Sequence, residues 1–238
     1  MNLDDAKLMV HQYFRLLPLQ IFLALLTFVN TMVTSLFASN FVRKEAMSVF
    51  GLYSPINTFV AGAAVILSSG SVLLCGQLLG KNEHERTQNV FNVNLVLSLI
   101  VSLVLALACV GLVVFGVTAR MTDTPEILNA LNAYFIAMAF GLPGKVINVQ
   151  LVSFLSMENQ TRRAGIASAA YIFIHLFLNI LFVWIIPFGT VGLALATSVG
   201  HWIYMVILGS YFFTPDSYLK INFRKMKFSD SLSIIKVG

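Results

Sequence analysis

The chain has 238 residues, of which 58% are hydrophobic and 11% charged, and its mean hydropathy is +0.85. An average soluble domain carries about 25% charged residues, so a soluble globular fold is excluded and an integral membrane protein is implied. The net charge of +5 sits outside the apolar stretches, where it suits anionic lipid headgroups and implies no nucleic-acid partner.

Six stretches are long and apolar enough to cross a hydrocarbon core of roughly 30 Å as helices: residues 14–38, 49–74, 90–117, 130–157, 164–186 and 190–213. Residues 1–13 form a polar leader, and Pro18 opens the first span near its end, where a helix tolerates proline. Asn30, Thr31, Thr34 and Ser35 give that span a face too polar for lipid. The second span, after Arg43-Lys44-Glu45, is dense in small residues from Gly51 to Gly76. Small residues allow close helix approach in lipid, so this helix is expected at the centre of the bundle.

Residues 80–86 read as a solvated turn with His84 exposed. The third span starts at Asn89, Asn92 and Asn94 and then turns aliphatic, as suits the lipid-facing rim. Cys75 and Cys109 lie inside spans without CxxC spacing and read as packed core thiols. Thr124-Pro125-Glu126 is a helix entry with a cap and a proline at the first helical position. Gly141-Leu142-Pro143-Gly144 predicts a kink or unwound turn in the fourth span, and irregular backbone in a membrane must line an enclosed cavity.

Residues 164–213 contain no Asp, Glu, Lys or Arg. A single helix of that length would reach about 75 Å, so the stretch must fold back, and Pro187-Phe188-Gly189 marks the turn. Beyond Phe213 the chain becomes soluble and basic, and residues 231–238 turn apolar again, as at the approach to a further span. The expected division is a six-helix transmembrane unit over 1–213 and a basic connector over 214–238.

All ten acidic residues fall in termini or connections. Eleven basic residues lie in the N-terminus, the second and fourth connections and the tail, against three (Arg43, Lys44, Arg120) on the other side. The positive-inside rule then puts both termini in the cytoplasm of a multi-pass plasma-membrane protein.

Polar groups at mid-bilayer depth are costly and mark candidate binding positions. His175 and His201 lie at similar distances on either side of Pro187, so their depths match. Asn179 shares a helical face with His175. Lys145, with Asn148 three residues on, and Asn30 also fall near mid-depth. Lys145 has no acid in any span to pair with, leaving water, a shifted protonation equilibrium or a bound anionic group as its complement. A packing role is the competing reading for each Asn and for His201. HExxH, GxSxG, paired intramembrane aspartates and a P-loop are all missing, so no enzyme chemistry is indicated.

Leu17-Pro18, the segment SLFASNFVRKEAMSVFGLYSP over residues 35–55, Gly76-Gln77-Leu78-Leu79-Gly80, Asn179, Gly192 and ALAT over residues 194–197 together resemble the N-terminal half of a multidrug and toxic compound extrusion (MATE) transporter. The resemblance implies an all-α membrane protein, six transmembrane helices forming one lobe of a twelve-helix transporter. It further implies ion-coupled antiport of small organic substrates, with H+ or Na+ as the coupling ion and no other cofactor. Its partner would be a missing C-terminal lobe or a second copy. A flippase for lipid-linked saccharides of the same superfamily, or an inactive scaffolding half, are the alternatives. Many members carry Asp where this chain has Asn30, and again where Val183 stands, so His175 or Lys145 becomes the candidate titrating group.

Overall fold

A computed structural model describes residues 28–40 and 45–223, with residues 21, 25, 42, 226, 228, 234 and 238. The leader, Leu17-Pro18, Arg43-Lys44 and most of the basic tail lie outside the described residues. Residues 28–40 form α1, the described part of the first expected span. It is followed by α2 (Glu45–Gly80), α3 (His84–Val114), α4 (Pro125–Met157), α5 (Thr161–Asn179) and α6 (Thr190–Ser210). Helices α2 to α6, with the short helical turns that extend α5 and α6, are each long and apolar enough to cross a membrane. Among the described residues there is no strand. The fold is an all-α bundle of six helices.

Local chemistry explains where the helices stop. Both α2 and α4 end on an asparagine in the left-handed region, Asn82 and Asn159, each with φ 59°. In each case the next amide reaches back over the last turn: Glu83 N–H to Leu78 O at 2.9 Å and Gln160 N–H to Leu155 O at 2.8 Å. This closes carbonyls that the helix leaves open. Thr124 occupies the expected cap position before Pro125, but its side chain makes no cap hydrogen bond. Its backbone N–H instead donates to Thr122 Oγ1 at 3.3 Å.

The α5–α6 hairpin turns at the expected place. Before it does, α5 widens into a π-helical segment, Ile180–Ile185, with Ile186 N–H reaching Leu181 O at 2.8 Å. Gly189 then adopts φ 61° and ψ −134°, a conformation that side chains beyond hydrogen oppose.

Two sequence expectations are corrected. The unwound-turn alternative for the fourth span does not hold: α4 stays helical through Pro143. Its glycines serve close approach instead. A Cβ at Gly141 would lie 2.6 Å from Ser198 Cα, and one at Gly144 would lie 3.1 Å from the His201 carbonyl carbon. Helix α6 therefore packs backbone to backbone on α4, and Ser198 Oγ donates to Ala137 O at 2.7 Å across the seam.

The second span is not the central helix either. The most apolar stretch of α4 is 67% buried, against 39% for α2 and 17% for α3. A Cβ at Gly51, Gly62 or Gly76 would meet nothing within 4 Å, while one at Gly70 would meet the backbone of Ile234 and Gly238, so among the described residues the glycines of α2 are not closely approached by another spanning helix. The rim position expected for α3 does hold.

The core among the described residues has two large clusters and a small third one of Ala38, Ala46, Val183 and Leu193. One large cluster holds Phe91, Phe154 and Phe212, with Phe91 4.8 Å from Phe154 and 5.0 Å from Phe212 between ring centroids. The other large cluster holds Tyr53, Tyr134 and Phe135, with Tyr53 5.2 Å from both. Polar bolts cross the bundle between helices. Gln150 on α4 accepts from Asn94 Nδ2 on α3 at 2.9 Å and donates to Ala64 O on α2 at 2.9 Å, while Ser68 donates to Ser153 at 2.6 Å.

The segment after α6 is strapped to one end of the bundle. The Glu158 carboxylate accepts from Tyr211 Oη at 2.8 Å and from the backbone N–H groups of Tyr218 at 3.1 Å and Leu219 at 2.8 Å. Gln88 accepts from Lys220 N–H at 2.9 Å and donates to Lys220 O, Asn92 accepts from Asn222 N–H at 3.0 Å, and His84 bonds the Tyr218 hydroxyl. Burial, with Cys75 and Glu158 nearby, pushes the Tyr218 phenol above its usual range. The α2–α3 turn, the α4–α5 turn and this segment thus share one end of the bundle.

Candidate functional site: a polar cavity among four helices

A cavity of about 330 Å³ opens between α1, α4, α5 and α6. Helical spacing puts Lys145, Asn148, Val149 and Val152 of α4 on one wall, Ser168, Tyr171 and Ile172 of α5 on another, and His201 and Tyr204 of α6 between them. Asn30 closes it from α1. No carboxylate is among its described lining residues.

The polar groups are partly committed to one another. Lys145 Nζ donates to Asn57 Oδ1 on α2. Asn148 Nδ2 donates to His201 O at 3.0 Å, and the Tyr171 hydroxyl lies 3.4 Å from His201 Nδ1. Ser168 Oγ pairs with the Tyr204 hydroxyl at 2.6 Å. Asn30 Oδ1 and Asn148 Oδ1 are buried with no hydrogen-bond partner among the described residues. Buried polar atoms left in that condition are costly, so the cavity suits a ligand or water that supplies donors.

Tyr171 organises the aromatic wall. Its ring is nearly parallel to those of His175, His201 and Tyr204, at interplanar angles of 20°, 17° and 22° and centroid distances of 5.8, 5.5 and 4.8 Å. The two histidines placed at matching depth by the sequence therefore flank one tyrosine.

Four of the six sequence candidates, Asn30, Lys145, Asn148 and His201, line the cavity. His175 and Asn179 lie outside its lining. His175 is fully buried, with Nε2 3.2 Å from both Thr197 Oγ1 and Asn179 Nδ2, while Asn179 Nδ2 also donates to His175 O at 2.8 Å.

Sequence reasoning missed Asn57, Ser168, Tyr171 and Tyr204. A signal for three of them existed. Ser168, Tyr171, His175 and Asn179 repeat at steps of three and four, as do Thr197, His201 and Tyr204, which draws one polar face along each arm of the hairpin.

Five membrane-length helices among the described residues, packed with α1 around an off-axis polar cavity, define a multi-pass helical membrane protein. The MatE family model matches residues 20–185. The chain belongs to the MatE family. Curated relatives include the "Probable multidrug resistance protein NorM" of Oceanobacillus iheyensis, 24% identical over 84% of this chain and 44% of the relative. Its namesake in Listeria innocua is 21% identical over 92% of this chain and 48% of the relative.

Among solved structures, a MOP superfamily transporter from Pyrococcus furiosus superposes with a TM-score of 0.85 at 21% identity, covering 94% of this chain and 50% of that one. An outward-facing multidrug resistance MATE family transporter gives 0.85 at 20% identity, covering 94% and 50%. The chain spans about half the length of the curated relatives it matches, and its six helices correspond to one lobe of that fold.

Proposed function

We propose that this chain is the N-terminal lobe of a secondary active transporter that moves small organic compounds across the plasma membrane, with the cavity beside Lys145 as its substrate site. The observation that carries the reading is a charged side chain facing a cavity inside the bundle with no ion-pair partner among the described residues. Ionisable groups within spans mark substrate or ion pathways, and cavities between bundle helices are common ligand sites.

Alternating access needs a second lobe, supplied by a C-terminal half or by another copy of this chain. Both termini are cytoplasmic on this reading. The positive-inside bias supports it, as does the shared end of the second connection, the fourth connection and the tail. Coupling to H+ would pass through Lys145 or His175, whose Nδ1 is buried without a partner.

Efflux from cells expressing the intact native protein tests this. Ser168→Trp, which fills the cavity, should abolish efflux while surface expression persists; unchanged efflux would refute the site. Lys145→Gln and His175→Gln should each alter the pH dependence of efflux if they carry the proton, and unaltered profiles in both remove them as carriers. Reporter fusions at Lys81, Arg120 and Lys220 should read in, out, in.

A flippase for lipid-linked saccharides is the second reading. It is favoured by an apolar groove of about 510 Å³ on the other side of α4 and α6, lined by Leu95, Leu99, Leu151, Met205 and Phe213 among others, which suits an acyl chain. Lipid translocation measured against dye efflux in proteoliposomes separates the two.

A further inference from the structure

Taken as a substrate site, the cavity has a charge pattern that narrows its occupant. A lysine ammonium has three donors, and Lys145 gives one of them to Asn57 Oδ1. The ion pairs Arg86–Glu83 and Arg163–Asp216 lie at the end of the bundle, and the acidic side chains among the described residues all lie in connections or in the end turns of helices. A cationic ligand entering the cavity would meet Lys145 with no carboxylate to offset the repulsion. An anionic one would complete it.

A second observation adds to the first. Asn148 is 4% exposed and lines the cavity, yet its Oδ1 has no partner, so it can accept from a ligand hydroxyl or amine. The rings of Tyr171, His201 and Tyr204, stacked on one another, also line the cavity and offer aromatic surface against which an aromatic body can pack.

We infer that the cavity selects hydroxylated aromatic anions: Lys145 binds the carboxylate, sulfonate or phosphate oxygens, Asn148 accepts from the hydroxyl, and the tyrosines hold the ring. This rests on the cavity being the substrate site. The anionic group can belong to a soluble compound or to a lipid headgroup, and the two sources are separable.

The test is equilibrium dialysis of the purified chain in zwitterionic-lipid nanodiscs against three matched probes: 6-hydroxynaphthalene-2-sulfonate, naphthalene-2-sulfonate and (6-hydroxynaphthalen-2-yl)methylammonium. The hydroxysulfonate is expected to bind at least tenfold more tightly than the ammonium. Lys145→Gln should remove that preference by weakening the sulfonate, leaving the ammonium within twofold, whereas Lys145→Arg should keep it. Equal binding of ammonium and sulfonate, or an undiminished preference in Lys145→Gln, would overturn the inference. Equal binding of the two sulfonates would overturn the role of Asn148.

Failure of the underlying site looks different: none of the probes binds, or Ser168→Trp leaves all three unaffected. Substituting phosphatidylglycerol nanodiscs separates the sources. A tenfold loss of apparent sulfonate affinity supports anion recognition with a headgroup as occupant, and unchanged affinity supports it with a soluble one.

Discussion

Helices α3 and α4 are of similar length, 31 and 33 residues, and both qualify as spans, yet the more apolar of the two is the less buried. The most apolar stretch of α3 is 17% buried and that of α4 is 67% buried. In water the reverse would hold, because apolar surface is driven inward. Lipid removes that drive, and what marks a protein-facing helix is its small and polar residues, which allow close packing and interhelical hydrogen bonds. Helix α4 carries Gly141, Gly144, Lys145, Asn148, Gln150 and Ser153 at its contacts with α2, α3 and α6. The middle of α3 faces outward with Leu103, Val104 and Leu107, the last 71% exposed.

Four substitutions test this contrast, the most damaging first. Gly141→Leu forces side-chain atoms into the Ser198 backbone and should lower stability by about 3 kcal/mol; reversible unfolding in mixed micelles measures it, and a near-neutral result would remove α4 from the centre. Glu158→Ala frees the Tyr211 hydroxyl and two backbone amides at the end of α4. It should cost about 2 kcal/mol and admit protease between residues 214 and 222, with Glu158→Gln milder in both respects.

Gln150→Leu severs the bolt joining α2, α3 and α4 and leaves Asn94 and Ala64 O without it, for about 1 kcal/mol by the same assay. Leu107→Ala on the outer face of α3 should change stability by less than about 0.5 kcal/mol. A larger loss there would mean that the face is covered by protein.

Features set by near neighbours were legible in the sequence. The hairpin turn at Pro187 to Gly189 follows from the missing proline N–H and from a backbone that glycine alone accepts readily. That His175 and His201 come near each other, on either side of Tyr171, follows from counting outward from that turn, and the rim position of α3 from its unbroken aliphatic run.

What depended on distant partners was not legible. Asn57 meets Lys145 across 88 positions of chain, and nothing near Asn57 announces it. The Gly141-Leu142-Pro143-Gly144 motif points to irregular backbone, and its glycines turn out to serve the close approach of Ser198 and His201 on a distant helix. Tyr171 and Tyr204 were passed over because aromatic rings in a span also serve as plain packing. The π-helical end of α5 had no local marker beyond the turn that follows it.

The strap after α6 carries a consequence for exchange with solvent. The amides of Tyr218, Leu219, Lys220 and Asn222 belong to no regular helix, yet Glu158, Gln88 and Asn92 each hold one or two of them through a side chain. Deuterium should enter these positions slowly, as it does in a helix. A tilt of α4 against α3 would therefore pull on this stretch from both sides, because Glu158 holds it at the end of α4 while Gln88 and Asn92 hold it on α3.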